Sequence, residues 1–271
     1  MIHQLDINGK DKVQVAIERL KTYEPKDGYY IAFSGGKDSC TIKALADMAG
    51  VKYDAHYTNT GIDPPELVRF IIEQHPDVHR DIPRDKDGNR ITMWNLIPKK
   101  KMPPTRIVRY CCSALKEDQG EGRFVVTGVR RSESVKRKKS RHMVEDHGVH
   151  AANNQLNFTE NLEDAPQFKI CPQKHRYILN PIIDWSTEEV WEFLKENNIP
   201  YCKLYDEGKK RLGCIGCPMQ GGKGMIEDFE RYPRYKKLYM IAFEKMLIKR
   251  DGDGKTEWNC PNDVMKWWTQ S

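Results

Sequence analysis

Tyr29-Tyr30-Ile31-Ala32-Phe33 runs directly into Ser34-Gly35-Gly36-Lys37-Asp38-Ser39, and Cys40 to Ala49 follows with helical character. Five residues of strand character thus meet a turn that glycine makes at least cost, and a helix begins at once. Such a junction leaves several backbone N–H groups unpaired and aimed at one point, with the positive end of the helix dipole behind them. Lys37 adds a full positive charge, and Ser34 and Ser39 add hydroxyl donors. Ser34, Gly35, Gly36, Lys37 and Ser39 together read as a phosphate cradle.

The Walker loop has four residues between its glycine and its Gly-Lys-Ser/Thr, and the dinucleotide fingerprint has a third glycine opening the helix; neither pattern is present. The stretch Ser34 to Ser39 instead resembles the PP-loop of the ATP pyrophosphatase superfamily. That resemblance implies a loop that holds the pyrophosphate of ATP or the phosphates of a sulfonucleotide. The bland alternative is a glycine turn joining a strand to a helix.

Outward from the loop, the same unit recurs. Lys10 to Tyr23 sets Val13, Ala16, Ile17 and Leu20 on one face of a lead-in helix. Lys52 to Thr58 reads as a second strand, ended by Asn59-Thr60-Gly61, and Pro64-Pro65 opens a helix through Ile72. Two β–turn–α units in succession predict an α/β fold, a doubly wound, mostly parallel, Rossmann-like sheet with its ligand at the C-terminal ends of the strands. Thr60 and Gly61 at one strand end, and Gly128 and Arg130 after the apolar run Phe124 to Val129, are further expected nucleotide contacts.

Arg80 to Arg90 is polar and reads as a loop, and Arg130 to Arg141 is the most basic stretch. Residues 143–175 lack periodicity and suggest a surface insertion or a strand pair. Ser186 with Glu189 forms a capping-box pattern before a helix over Thr187 to Asn197. Ile226 to Lys249 reads as helix interrupted near Pro233, and Asn262 to Trp268 as a short closing helix. The expected organisation is a nucleotide-binding α/β domain over 1–200 and a helical part over 201–271 packed on it.

The 271 residues carry a formal net charge of +6, which suits an anionic substrate without by itself indicating nucleic acid. No run approaches a membrane span, and Met1 to Asp6 lacks the apolar run of a signal peptide. A cytoplasmic protein is expected, so the eight cysteines point to metal or redox chemistry rather than a disulfide framework.

Cys111-Cys112 and Cys214-Ile215-Gly216-Cys217 form two pairs. Four cytosolic thiols suit a tetrahedral zinc, an iron–sulfur cluster, or no metal at all. Adjacent cysteines diverge along an extended backbone, which sits poorly around one zinc; a [4Fe-4S] cube lets each thiolate take its own iron. Arg106, Arg109, Lys116 and Arg211 would offset the charge of such a cluster. Cys40, Cys171 and Cys202 read as plain small residues, and Cys171 with His175 has a metal-like spacing but no partner pair. His142, His147 and His150 form no acid–base arrangement.

Cys111-Cys112 with Lys116, Gly128-Val129-Arg130 with Ser134 and Arg137, Asn180-Pro181-Ile182-Ile183-Asp184-Trp185, Ile199-Pro200-Tyr201, and Gly213-Cys214 to Cys217 together resemble the motifs of the phosphoadenosine phosphosulfate (PAPS) and adenosine phosphosulfate (APS) reductase family. In its APS-using branch, cysteines at these motifs bind a [4Fe-4S] cluster, which implies Cys111, Cys112, Cys214 and Cys217 as ligands. The chain departs from the family in two ways. Its end reads Trp258-Asn259-Cys260-Pro261, not Glu-Cys-Gly-Leu/Ile-His, and its loop is the Ser-Gly-Gly-Lys-Asp-Ser form of enzymes that cleave ATP between the α- and β-phosphates.

Three functions compete. In one, ATP activates an acceptor oxygen, pyrophosphate leaves, and sulfur replaces the adenylate; Lys37, Asp38 and Arg130 would be the catalytic residues. In another, APS or PAPS is reduced to sulfite by a thiol. The third is a nucleotide-binding redox sensor without turnover. Arg130, Arg137 and Lys116 are expected to clamp phosphate or sulfate oxygens. Asp38 either holds a Mg²⁺ carried by ATP or supports the loop by hydrogen bonds. A sulfur or electron donor protein is an expected partner. A nucleic acid acceptor would be met by Lys99-Lys100-Lys101, otherwise a solvated charge run; no membrane contact is expected. The loop form and the missing terminal motif favour ATP, the extent of the family resemblance favours the reductase with Cys260 as its substitute thiol, and the balance leans to ATP.

Overall fold

A computed structural model describes residues 2–6, 9–117, 120, 122–146, 177–252 and 257–270. The helices are α1 (Lys12–Thr22), α2 (Lys37–Ala49), α3 (Pro65–Gln74), α4 (Met93–Lys100), the single turn α5 (Tyr110–Cys112), α6 (Val135–Ser140), α7 (Thr187–Glu196), α8 (Gly221–Arg231), α9 (Pro233–Asp251) and α10 (Pro261–Gln270). The strands are β1 (Tyr29–Ala32), β2 (Tyr53–Thr58), β3 (His79–Asp81), β4 (Phe124–Val126), β5 (Val144–Asp146) and β6 (Tyr177–Leu179), forming one sheet in the order β3-β2-β1-β4-β6-β5.

The sheet is mostly parallel, as expected. β1 pairs in parallel with β2 and with β4, β4 pairs in parallel with β6, and β5 runs antiparallel to β6. The order reverses direction between β1 and β4, which is the switch point where α/β sheets open a crevice at their strand ends. The loop after β1 and the segment Gly128 to Arg130 after β4 both start there. Of the expected insertion, β5 supplies 144–146 to the sheet edge, and 147–175 lies outside the described residues.

The contacts divide the chain into two compact units that interleave in sequence. The first comprises 1–57, 69–80 and 119–210; the second comprises 58–68, 81–118 and 211–271. The helical part expected from residue 201 is thus mostly in the second unit, joined by segments from the first half of the chain. A cut at residue 200 misses this because an excursion from a parallel sheet leaves no mark in composition.

In the first unit, α2 packs on α1 and α7. Asp11 and Gln14 form the capping box of α1, and Ser186 and Glu189 that of α7. Lys12 Nζ lies 2.7 Å from the Glu189 carboxylate, tying the two capped starts together. Leu20, Ile31, Ile42, Leu45, Trp185 and Phe193 are fully buried. The second unit has its own core, in which Ile97, Phe243, Met246, Val264 and Trp268 are fully buried, so it packs like a small helical domain. The break between α8 and α9 falls at Tyr232, with Pro233 at the first position of α9, where its missing N–H costs nothing.

Candidate functional site

α2 begins at Lys37, three residues earlier than the sequence suggests, so half of the cradle is already helix. Gly36 is its N-cap in an extended conformation, with no side-chain cap, and Gly35 has φ +70°. Hydroxyls hold the loop. Ser34 N donates to Ser39 Oγ at 3.2 Å, Ser39 Oγ donates to the Gly36 carbonyl at 2.9 Å, and Gly36 N points to Ser34 Oγ at 3.4 Å. Lys37 N donates to the hydroxyl of Tyr205 at 2.9 Å.

Lys37, Asp38 and Arg130 are brought together as one charged group. Lys37 Nζ lies 3.0 Å from Asp38 Oδ2, and Arg130 Nε lies 2.8 Å from Asp38 Oδ1. Arg130 is only 1% exposed, and its Nη1 also faces Ser132 Oγ at 3.0 Å and Thr187 Oγ1 at 3.3 Å. Both oxygens of Asp38 are therefore engaged by protein cations. Gly128 has a specific reason to be glycine: a Cβ there would stand 2.8 Å from the Asp38 Cβ and 3.0 Å from its carbonyl carbon. Arg137 pairs with Glu133, on the basic stretch that forms α6.

Thr60, Gly61, Lys116 and the four paired cysteines fall in the second unit. Thr60 is buried, and its hydroxyl donates to Asp63 Oδ2 at 2.8 Å. Lys116 Nζ lies 3.6 Å from Asp63 Oδ1, so it faces this buried carboxylate. Gly61, with φ +75°, donates its N–H to Asn59 Oδ1 at 3.1 Å.

Cys111 and Cys112 occupy α5, and the CxxC is a turn closed by Cys217 N donating to the Cys214 carbonyl at 3.2 Å. The turn is built in by its glycine. Gly216 has φ +69°, its N–H meets Asp228 Oδ2 at 3.1 Å, and a Cβ on it would stand 2.6 Å from Phe229 Cζ. Ile215 N donates to the Ile62 carbonyl at 2.8 Å, and Tyr239 donates its hydroxyl to the Ile215 carbonyl at 3.0 Å.

None of the four is in a disulfide, and they lie within electrostatic range of one another. The hydrogen bond from Cys112, then burial, then the charges of Cys112, Cys214 and Cys217 push the Cys111 thiol up. Burial pushes Cys214 up to about 12, opposed by Lys116, and burial raises Cys217, opposed by Lys116 and Arg109. Among the described residues, no three His, Cys, Asp or Glu side chains are placed to hold a single metal ion.

Cys40 and Cys202 are buried, and burial pushes Cys40 up to about 12, as plain core thiols require. Cys171, His147, His150 and His175 lie outside the described residues. Lys99 and Lys100 are exposed in the last turn of α4. Cys260 sits at the start of α10 with its N–H on Asp263 Oδ2 at 3.1 Å, between the buried Trp258 and Trp268. Two positions that tie these groups together carry no signal in the sequence. Tyr205 ends a short 3-10 turn with no periodicity, and Asp63 precedes a proline pair without any motif around it.

The family model of the phosphoadenosine phosphosulfate reductase domain matches residues 28–220. An uncharacterized protein of Methanocaldococcus jannaschii is 25% identical over 237 residues, 83% of this chain and 49% of that protein. A second from the same organism is 28% identical over 86% of this chain and 45% of its own length, so the chain spans about half the length of these curated relatives. An adenosine 5'-phosphosulfate reductase of Staphylococcus epidermidis is 25% identical, over 80% of this chain and 81% of that protein. Among solved structures, a phosphoadenylyl-sulfate reductase from Candida auris superposes at TM-score 0.47 with 16% identity, over 73% of this chain and 87% of that one. No described helix is long and apolar enough to cross a membrane.

Proposed function

Given that this chain belongs to the phosphoadenosine phosphosulfate reductase domain family, we propose that it is an adenine-nucleotide-dependent enzyme of sulfur chemistry. In this reading it cleaves ATP between the α- and β-phosphates. The observation that carries it is the cradle: Ser34 to Ser39 open a thirteen-residue helix at the switch point of a parallel sheet. Its backbone N–H groups and the Lys37 ammonium hold the pyrophosphate portion, as helix N-termini hold anions. Asp38 fixes Lys37 and Arg130 against each other, so positive charge stands ready where charge develops on the leaving pyrophosphate. The acceptor oxygen attacks the α-phosphorus, pyrophosphate leaves, and a sulfur nucleophile then displaces AMP from the acceptor.

Cys111, Cys112, Cys214 and Cys217 are the proposed holders of a [4Fe-4S] cluster, which when bound supplies the sulfur or electron step. Their chemistry supports the assignment: four thiols outside any disulfide lie in mutual electrostatic range, with Lys116 and Arg109 beside them. Thr60 serves here by orienting Asp63, and Asp63 by holding Lys116.

A second reading, reduction of APS or PAPS to sulfite, is favoured by the likeness to the S. epidermidis enzyme over four fifths of both chains. Cys260 weighs against it. Its segment is pinned by Asp263 and by Trp268, whose indole N–H donates to the Pro104 carbonyl at 2.6 Å, whereas an attacking thiol must reach its nucleotide.

The test is anaerobic purification followed by incubation with ATP, APS and PAPS separately, with pyrophosphate and sulfite measured. Pyrophosphate from ATP is expected, together with about four irons per chain that are lost on replacing any of the four cysteines by Ala. Sulfite from APS or PAPS, abolished by Cys260→Ala, would establish the second reading. Zinc without iron in strictly anaerobic protein would remove the cluster.

A further inference from the structure

Three backbone donors of the cradle rest on neutral hydroxyls of the protein. Ser34 N rests on Ser39 Oγ, Gly36 N on Ser34 Oγ, and Lys37 N on Tyr205 at 2.9 Å. The first two acceptors belong to the loop. Tyr205 does not; it arrives from a different part of the chain, in the same unit.

Its placement is well determined. Leu204, 1% exposed, anchors the 3-10 turn Lys203–Tyr205, and Lys209 N closes the segment onto the Leu204 carbonyl at 3.1 Å. The ring lies edge-on to Trp191 at 5.0 Å and beneath Lys37 Nζ at 5.9 Å from its centroid. The phenol oxygen lies over the Gly36–Lys37 peptide, only 3.5 Å from where a Cβ of residue 36 would stand. An anion accepting from Lys37 N would have to put an oxygen in that same position.

We propose that Tyr205 is a positioning residue of the cradle, whose hydroxyl occupies a phosphate-oxygen seat on the Lys37 amide and is displaced from it by the phosphates of the incoming nucleotide. The inference rests on the reading of Ser34 to Ser39 as a nucleotide cradle. The exchange is favourable because a charged phosphate oxygen is a stronger acceptor than a neutral phenol. The phenol is replaceable because the side chain is partly exposed, so it turns outward while the Leu204 anchor stays. Until a phosphate arrives, the hydroxyl keeps the first N–H of α2 paired and the loop in its binding shape. It also makes every anion compete with a built-in occupant, so an oligophosphate that gathers several donors gains over a single small anion that takes only one.

The experiment is calorimetric titration of the full chain, wild type and Tyr205→Phe, with pyrophosphate, ATP and adenosine. Tyr205→Phe retains the ring and its packing on Trp191 and removes only the competing oxygen. Pyrophosphate and ATP are expected to bind about two- to tenfold tighter to the variant, the worth of one neutral hydrogen bond, and adenosine equally well. Equal or weaker pyrophosphate binding by the variant, with the wild type binding normally, would overturn the role of Tyr205 and leave the cradle standing. A parallel shift for adenosine and pyrophosphate would mean a structural role only. Failure of the wild type to bind either phosphate compound would overturn both readings.

Discussion

The cradle and the cysteine group solve opposite electrostatic problems. In the cradle, Lys37 and Arg130 share the one carboxylate of Asp38, and three loop donors rest on hydroxyls, so these three charged groups keep one net positive charge with its partners in place. In the second unit, four thiols crowd together, burial and mutual charge push Cys111, Cys214 and Cys217 upward, and Lys116 and Arg109 only partly oppose this. In the proposed readings, the first site exchanges one set of partners for another when its nucleotide arrives, and the second releases its thiol protons as a metal binds, so the second gains most from its ligand.

The glycines give the sharpest way to break the comparison. Gly216→Ala forces a left-handed φ on alanine and drives a Cβ to 2.6 Å from Phe229, so it should cost about 4 kcal/mol in denaturant unfolding. Gly36→Ala sits at φ −77° and meets nothing closer than 3.4 Å, so its stability should change by less than about 0.5 kcal/mol. Pyrophosphate affinity in Gly36→Ala should nevertheless fall about tenfold, because the methyl group takes phosphate space. Equal stability losses in the two variants would show that the cysteine turn is no more constrained than the cradle.

Asp38→Ala comes next. It leaves a guanidinium that is 1% exposed with Glu133, 4.0 Å away, as its remaining carboxylate partner, beside a Lys37 ammonium that has lost its own, and it should lower stability by about 3 kcal/mol. Arg130→Met in the same background should recover part of that loss, since the buried charge goes with it. A double mutant no more stable than Asp38→Ala would mean that Asp38 does not hold this balance.

The smallest effect is one of pH, and it belongs to the first unit. Burial holds His75 below its ordinary value of 6.5, with Lys43 adding to the shift and Asp77 and Asp47 opposing it. The unfolded chain then binds more protons than the folded one between the two values. The stabilisation is complete above about pH 6.5 and is lost as pH falls through the folded value. The melting temperature should therefore decline between about pH 6.5 and 5, ahead of the carboxylates, and His75→Gln should flatten that limb. An unchanged limb in the variant would assign the decline to other groups.

Sequence read well wherever a local rule decides structure. The capping pairs Asp11–Gln14 and Ser186–Glu189, the strand before the loop and the break at Pro233 obey short-range chemistry, and only the first of these capping pairs escaped notice. Helix α4 did not read as one, although Thr92 and Asn95 cap it, because Pro98 inside it and Pro103-Pro104 beyond it look like loop punctuation. The start of α2 was placed late, since Gly-Gly suggests a turn and hides the fact that Gly36 is an N-cap. Individual site residues were legible, but their engagements were not. Nothing in the order of residues says that Arg130 spends its guanidinium on Asp38, that Thr60 bonds Asp63, or that Tyr205 reaches Lys37; each is a meeting of distant segments.

The close approach of Gly128 to Asp38 has a consequence for how this protein tolerates change. A strand end and a helix start meet there with no room for a methyl group, so the two segments form a joint that cannot be shimmed. In a library of random variants, position 128 should be among the least permissive of the first unit, and substitutions at 38 larger than Asp should fail with it. Drift and engineering then have to enter the cradle from its rim, where side chains such as Tyr205 are partly exposed, rather than through the joint that holds its charges in line.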